Sequence, residues 1–415
     1  MRINNKSLLK VFSLNAVLVA SNFIIGALST KIIAVLLGAQ GMALLGSFRN
    51  FTTMAKSIST VGLQPSLIKL WIDNKANKNE LNSIVRSYFW FFFIASLVIC
   101  FLLIIFSDKI SHYLFYTNNF KKVVIFYALL LPIIALHTLG LSILNAKENF
   151  KLLIKIQIIA SIISFIIFVV FVYKKNVVGA LYAVALAEIV LFICTIFYVF
   201  KLNYLTILKS RNLVKKLHLS TLKNYILMGA ISGIIAPLTL ILIRYKIVDV
   251  LSIDDAGKWD AINRISTYYM MFFTSGLAMY YLPKLSSIHK NKEFSAELIK
   301  YFKIIFPLFI GVAILVFLLK DIIITTLFTP SFYSITQIIH WQILGDLLKI
   351  ISLAFGYWIV SKTMTKAYIF GEFLYNISYY FFVIYLLPLS NLLGVVQAYF
   401  YCNLLYVFFI IIIFR

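Results

Sequence analysis

Apolar runs about 20 residues long, separated by short polar or basic connections, recur along the whole 415-residue sequence. A helix needs about 20 consecutive, mostly apolar residues to cross the roughly 30 Å hydrocarbon layer of a bilayer. With 62% hydrophobic residues, 13% charged residues and a mean hydropathy of +0.97, little sequence is left over for a soluble domain. The reading is an all-α integral membrane protein. About twelve spans are expected, near 8–37, 42–66, 87–106, 122–144, 152–172, 177–200, 222–245, 263–283, 302–319, 334–360, 366–387 and 393–414. The first run has a basic flank, but it is too long for a signal-peptide core and reads as the first span. The second run contains the polar stretch "FRNFTTMAKSIST" and the seventh contains Pro237 with several glycines, so both suit a bundle interior better than lipid.

Lys and Arg concentrate in alternate connections. The set holding both chain ends carries 24 of them against 9 in the other set, which places both termini in the cytoplasm by the positive-inside rule. This topology accounts for most of the +24 formal charge, so no nucleic-acid partner is called for. The longest basic connection, 201–222, separates an N-terminal lobe of six spans (1–200) from a C-terminal lobe of six (223–415). An even number of spans per half fits a duplicated unit, a common transporter plan, although residue identities alone do not display a repeat. The connection reads first as a solvated loop and second as a headgroup-binding stretch.

Ionisable residues inside spans cost about 2.5–3.5 kcal/mol each on insertion scales, so they mark bundle interiors, watery cavities or substrate paths. Apart from cations counted with the connections that they border, the spans hold Lys31, Arg49, Lys56, Arg244 and Lys349, with Glu188, Asp346 and Glu372 as the acids. Arg49 and Lys56 are seven apart and share a helix face with Thr52 and Thr53 close by. Lys31 and Arg244 stand near span ends, where snorkelling competes with a functional role. The Arg244 guanidinium also has the fork geometry that grips phosphate. Asp346 and Lys349 in "WQILGDLLKI" are three apart and can pair on one helix, either as a static lock or as a charge switch. Arg264, in "WDAINRISTYY", is a further cation candidate.

Other chemistries find little support. The sequence has no phosphate-binding P-loop, no dinucleotide fingerprint and no His-x-x-x-His pair, so no cofactor or metal is expected. Cys100, Cys194 and Cys402 lie within apolar runs, and His137 and His340 read as packing residues. The acidic stretch "DVLSIDDAGKWD" at 249–260 reads as a solvated loop, with a metal-dependent glycosyltransferase site as the alternative.

Three segments, "STKIIAVLLGAQGMALLGSFRNF", "YYLPKLSSI" and "WQILGDLLKIISLAFGYWIVSKTMTKAYIFGEF", carry a family resemblance that extends over essentially the whole chain. It resembles the Wzx-type flippases of lipid-linked oligosaccharides, most closely the enterobacterial common antigen (lipid III) branch. The resemblance implies the fold of the multidrug/oligosaccharidyl-lipid/polysaccharide exporter superfamily, with two six-helix lobes around a central cavity. It implies a transporter, not an enzyme, that carries undecaprenyl-diphosphate-linked oligosaccharide (O-antigen or common-antigen units, the former of lipopolysaccharide) across the bacterial inner membrane by alternating access. It also implies contact with membrane lipids and with a polymerase and chain-length regulator of the same pathway. On this basis Arg49 and Arg244 are expected to bind diphosphate, Lys31 and Lys349 to add positive potential, and Asp346 and Glu372 to act in ion pairs or coupling; Lys56 and Arg264 as substrate-facing cations come from the residues alone, as does Glu188 as an ion-pair or coupling site, which departs from the pattern of the branch. Trp341, Tyr357 and Tyr375 are candidate sugar contacts. A cation-coupled multidrug exporter and a membrane glycan polymerase are the alternatives. The excess of bases over acids within spans favours an anionic substrate over cationic drugs.

Overall fold

A computed structural model describes residues 5–60, 63–75, 77–201, 219–288 and 291–414, so 202–218, most of the basic connection, lies outside the described residues. Among these residues the secondary structure is helical with no strand. The chain runs through α1 (Asn5–Leu36), α2 (Gly38–Thr60), α3 (Gln64–Asp73), α4 (Lys78–Ile105), α5 (Ser107–Phe115), α6 (Lys121–Ala146) and α7 (Phe150–Lys201). It continues through α8 (Leu219–Val250), α9 (Ile253–Ser287), α10 (Asn291–Leu318), α11 (Lys320–Leu327), α12 (Ile339–Ser361) and α13 (Thr365–Phe414). Helices satisfy every interior backbone donor within one segment, which is what hydrocarbon requires.

Eight of the described helices contain stretches long and apolar enough to span a membrane. Two of these, α7 and α13, are 52 and 50 residues long and each doubles back at one asparagine: Asn176 (φ 49, ψ −134) and Asn391 (φ 54, ψ −140). These are the dihedrals of the first corner of a type II′ turn, which asparagine tolerates better than branched residues. Counting both halves of each, and the more polar α2 and α9, gives the expected twelve. The short helices α5, α3 and α11 were not expected, nor was the 3-10 segment Pro330–Gln337, which moves the start of the tenth span from 334 to Ile339.

The turns reveal a repeat. Asn176 and Asn391 are 215 residues apart, and each begins Asn-x-x-Gly, ending at Gly179 and Gly394. A Cβ on either glycine would strike a backbone carbonyl eight residues earlier, that of Phe171 or Leu386. The same offset relates the turn before each long helix. There Lys147 N–H donates to Ile143 O and Asn149 N–H to Leu144 O, while Lys362 N–H donates to Trp358 O and Met364 N–H to Ile359 O. Glu148 and Thr363 hold the positive φ that this C-terminal capping motif demands. Asp108 and Asp321, each in the first turn of a short helix, likewise stand six residues before a Leu-Phe pair whose phenylalanine is buried. One helical plan has been written twice. Because the close approach is to backbone, neither Gly179→Ala nor Gly394→Ala can be relieved by a rotamer change; each is expected to cost about 1–3 kcal/mol, read as a lower thermal midpoint in detergent.

Two compact units result, and their membership is not simply N-terminal against C-terminal. One comprises residues up to Ile25 with Ser47–Leu238; the other comprises Gly26–Gly46 with Thr239–Arg415. In the first, Leu67, Trp71, Tyr88, Phe92 and Leu139 form a core among α3, α4 and α6. In the second, Ile243, Ile247, Trp259, Val383, Tyr399 and Cys402 join α8, α9 and α13, and Ala43 from the start of α2 packs with them.

Candidate functional site

In the first unit, charge gathers where α2, α6 and α7 meet. Lys56 Nζ lies 3.1 Å from Glu188 Oε2, which is 2.7 Å from His137 Nε2. His137 is 1% exposed, and its Nδ1 has no partner among the described residues. Lys56, expected to face substrate, is instead committed to Glu188, because a half-buried ammonium beside a carboxylate is stabilised by pairing. Arg49 is half-buried about two turns from Lys56 along α2; its carbonyl accepts from both Thr52 and Thr53 hydroxyls. Tyr127 donates to Thr52 O at 3.0 Å, fixing the middle of α2 against α6. Beside Glu188, a cavity of about 460 Å³ opens among α1 and both halves of α7, lined by Asn22, Gln157, Ser161 and Ser164 among others.

In the second unit, Arg244 is 2% exposed and its fork is closed on Asp260, with Nη2–Oδ1 2.5 Å and Nε–Oδ2 2.9 Å. Its guanidinium also lies 5.3 Å from the Trp259 ring centroid. Gly46 comes so close to this pair that a Cβ there would overlap the Asp260 carboxylate. Arg244, expected to bind diphosphate, is held in this structure by a buried carboxylate, with Nε and Nη2 committed to Asp260. The acidic stretch 249–260 is likewise spent on structure. Ser252 caps α9, Asp254 and Asp255 occupy its first turn, Asp249 pairs with Lys246 and Asp255 with Lys258. No group of three or more His, Cys, Asp or Glu able to hold a metal occurs among the described residues.

Asp346, on α12, is 0% exposed. Ser266 donates to it at 2.6 Å and Tyr399 at 2.7 Å, and Tyr269 donates as well. The expected pair with Lys349 is not made as a direct ion pair among the described residues; three hydroxyls from α9 and α13 hold the carboxylate instead. Lys349 is half-buried and, among the described residues, makes no hydrogen bond or ion pair with its side chain, though it lies close enough to Asp346 and Glu372 to interact electrostatically with both. Glu372 accepts from Asn376 Nδ2 at 3.3 Å. Lys31 donates to Phe328 O at 3.2 Å, so it is tethered to the protein instead of snorkelling. Arg264 donates to Thr30 Oγ1 at 3.1 Å, and Thr30 shares a 2.5 Å hydrogen bond with Tyr268.

The aromatic candidates are occupied in packing. Tyr357 donates to Thr274 O at 3.0 Å, Trp341 packs edge-on to Phe400 at 5.3 Å, and the Tyr375 hydroxyl accepts from Asn403. The cavity next to Glu188 escaped the sequence reading, since small polar residues such as Ser161 and Ser164 carry no individual signal inside an apolar run.

Known proteins match this architecture and sequence. The chain is 25% identical over 379 residues to the lipid III flippase of Escherichia coli (strain K12), covering 90% of each chain. Among solved structures it is similar to the lipid II flippase MurJ in an inward closed conformation, with TM-score 0.76, 16% identity, and 96% of this chain and 86% of that chain covered. It is also similar to an inward-facing multidrug resistance MATE transporter of the MOP superfamily, with TM-score 0.66, 15% identity and 94% of each chain covered. At these identities the structures establish the shared fold. The sequence model of the family described as polysaccharide biosynthesis protein matches residues 32–337, most of the chain, and on that match the chain belongs to this family.

Proposed function

We propose that this protein is a flippase that moves undecaprenyl-diphosphate-linked oligosaccharide from the cytoplasmic to the periplasmic leaflet of the bacterial inner membrane by alternating access. It acts as a transporter without covalent chemistry, its lobes are the spans of 1–200 and 223–415 joined by the basic stretch 201–222, and both termini are cytoplasmic. A polymerase and a chain-length regulator of the same pathway would receive its product. The name of the E. coli relative and the family membership support this reading.

The observation that carries it is Lys349. A cation inside a span with no direct ion pair is costly even with Asp346 and Glu372 in electrostatic range, so its retention points to an anion that arrives and leaves. A diphosphate is such an anion, and it too could not enter hydrocarbon alone. Lys349 therefore takes the phosphate role first given to Arg244. Lys31 and Arg264 add positive potential in the same unit, and Arg49 supplies it in the other.

Lys349→Ala is expected to lower transbilayer movement of the lipid at least about 30-fold, as loss of a charge contact worth 2 kcal/mol or more would. Because Lys349 has no direct ion pair to lose, only a longer-range attraction to Asp346 and Glu372, thermal stability should stay within about 1 kcal/mol of the parent, and Lys349→Arg should retain most transport. Undiminished transport by Lys349→Ala would remove the phosphate role.

A further inference from the structure

The repeat allows the cavity beside Glu188 to be compared with its own counterpart. At the 215-residue offset, Ala160, Ser164 and Leu191 of the first unit correspond to Tyr375, Tyr379 and Tyr406 of the second. In the second unit these rings fill the space: Tyr375 lies 6.4 Å from Tyr379 and 5.7 Å from Tyr406, centroid to centroid. Gln157 and Glu188 correspond to Glu372 and Asn403, and Ser161 to Asn376. In the second unit the corresponding side chains of Glu372, Asn376 and Asn403 bond within the unit, Asn376 donating to Glu372 and Asn403 to Tyr399 O and Tyr375. The first unit has the same helical frame with the rings removed, leaving the 460 Å³ cavity. Among the described residues, none of the side chains of Asn22, Gln157, Ser161 and Ser164 has a hydrogen-bonding partner. Asn22 is exposed and Gln157, Ser161 and Ser164 are half-buried, so four polar side chains around one cavity are open to a ligand that enters it.

The charges nearby restrict what that ligand is. Glu188 already faces Lys56 on α2 and His137 on α6, so a second cation would meet the Lys56 ammonium and an anion would meet the Glu188 carboxylate. An uncharged ligand rich in hydroxyls suffers neither penalty and uses amide, hydroxyl and carboxylate partners together. The cavity falls within the about 300–1,000 Å³ typical of small-molecule sites. We infer that this cavity, bounded by Asn22, Gln157, Ser161, Ser164 and Glu188, binds a glycosyl portion of the transported lipid, distal to its diphosphate. The inference rests on the flippase reading, and it assigns sugar selectivity to the first unit.

The test uses the full chain in proteoliposomes with two probes, undecaprenyl diphosphate bearing one sugar and the same lipid bearing three. Ala160→Tyr reinstates the ring found in the second unit. It is expected to lower movement of the three-sugar lipid more than tenfold while the one-sugar lipid moves at near the parental rate. Gln157→Ala with Ser161→Ala keeps the space but removes hydrogen bonds, and is expected to slow the three-sugar lipid about tenfold. If Ala160→Tyr moves neither lipid, the Gln157/Ser161 variant decides. Loss confined to three sugars supports the inference; equal loss of both lipids, or of neither, overturns it. Parental protein that moves neither lipid would instead overturn the flippase reading itself.

Discussion

Arg244→Ala will destabilise the protein by about 3–5 kcal/mol, the cost of stranding a charge when one member of a buried pair is removed. The partner left behind is Asp260, 6% exposed, with Gly46 packed against its carboxylate and the Trp259 ring at the guanidinium face. The double substitution Arg244→Met with Asp260→Leu removes both charges and fills similar volume, so most of the stability should return. Thermal unfolding in detergent measures the first effect; flipping by the double variant separates two roles. If Arg244 is structural, as its geometry indicates, the double variant moves lipid at a rate close to the parent. If its guanidinium were the phosphate ligand, the double variant would be folded and inactive.

Asp346→Ala is the second large effect. It leaves the hydroxyls of Ser266, Tyr269 and Tyr399 without their acceptor in a site from which water is excluded, and at about 1–3 kcal/mol for each unsatisfied group the loss is about 3–5 kcal/mol after local relaxation. Asp346→Asn keeps one acceptor oxygen and the shape, so it should lose about 1–2 kcal/mol. The ranking parent, Asn, Ala in thermal midpoint is the expected result, and equal midpoints for Asn and Ala would contradict the hydroxyl cage. The same Asn variant tests the charge-switch role: if it transports normally, Asp346 holds α9, α12 and α13 together and does nothing more.

Membrane class, span count and most span ends could be read from sequence because hydropathy is local and hydrocarbon forces helices. Even the tight turns at Asn176 and Asn391 were placed in the correct connections. The repeat was also present as Asn-x-x-Gly, yet two such short matches in an apolar chain mean little until both asparagines show the same dihedrals. What the sequence could not supply was partnership. Ser266 and Tyr269 are 80 and 77 residues from Asp346, and Lys56 is 132 from Glu188, so the nearby Lys349 looked like the natural partner of Asp346. Arg244 and Asp260 are 16 apart across a turn that brings α8 and α9 side by side. Span charges were rightly singled out as unusual; which of them lock helices and which await a ligand depends on these distant contacts.

The central claim is tested most directly by reconstituting the purified chain in proteoliposomes and following the transbilayer movement of labelled undecaprenyl-diphosphate oligosaccharide. Movement well above protein-free vesicles is expected, reduced at least about 30-fold by Lys349→Ala in protein of near-parental stability. Folded, inserted parental protein that leaves the lipid in its original leaflet would contradict it.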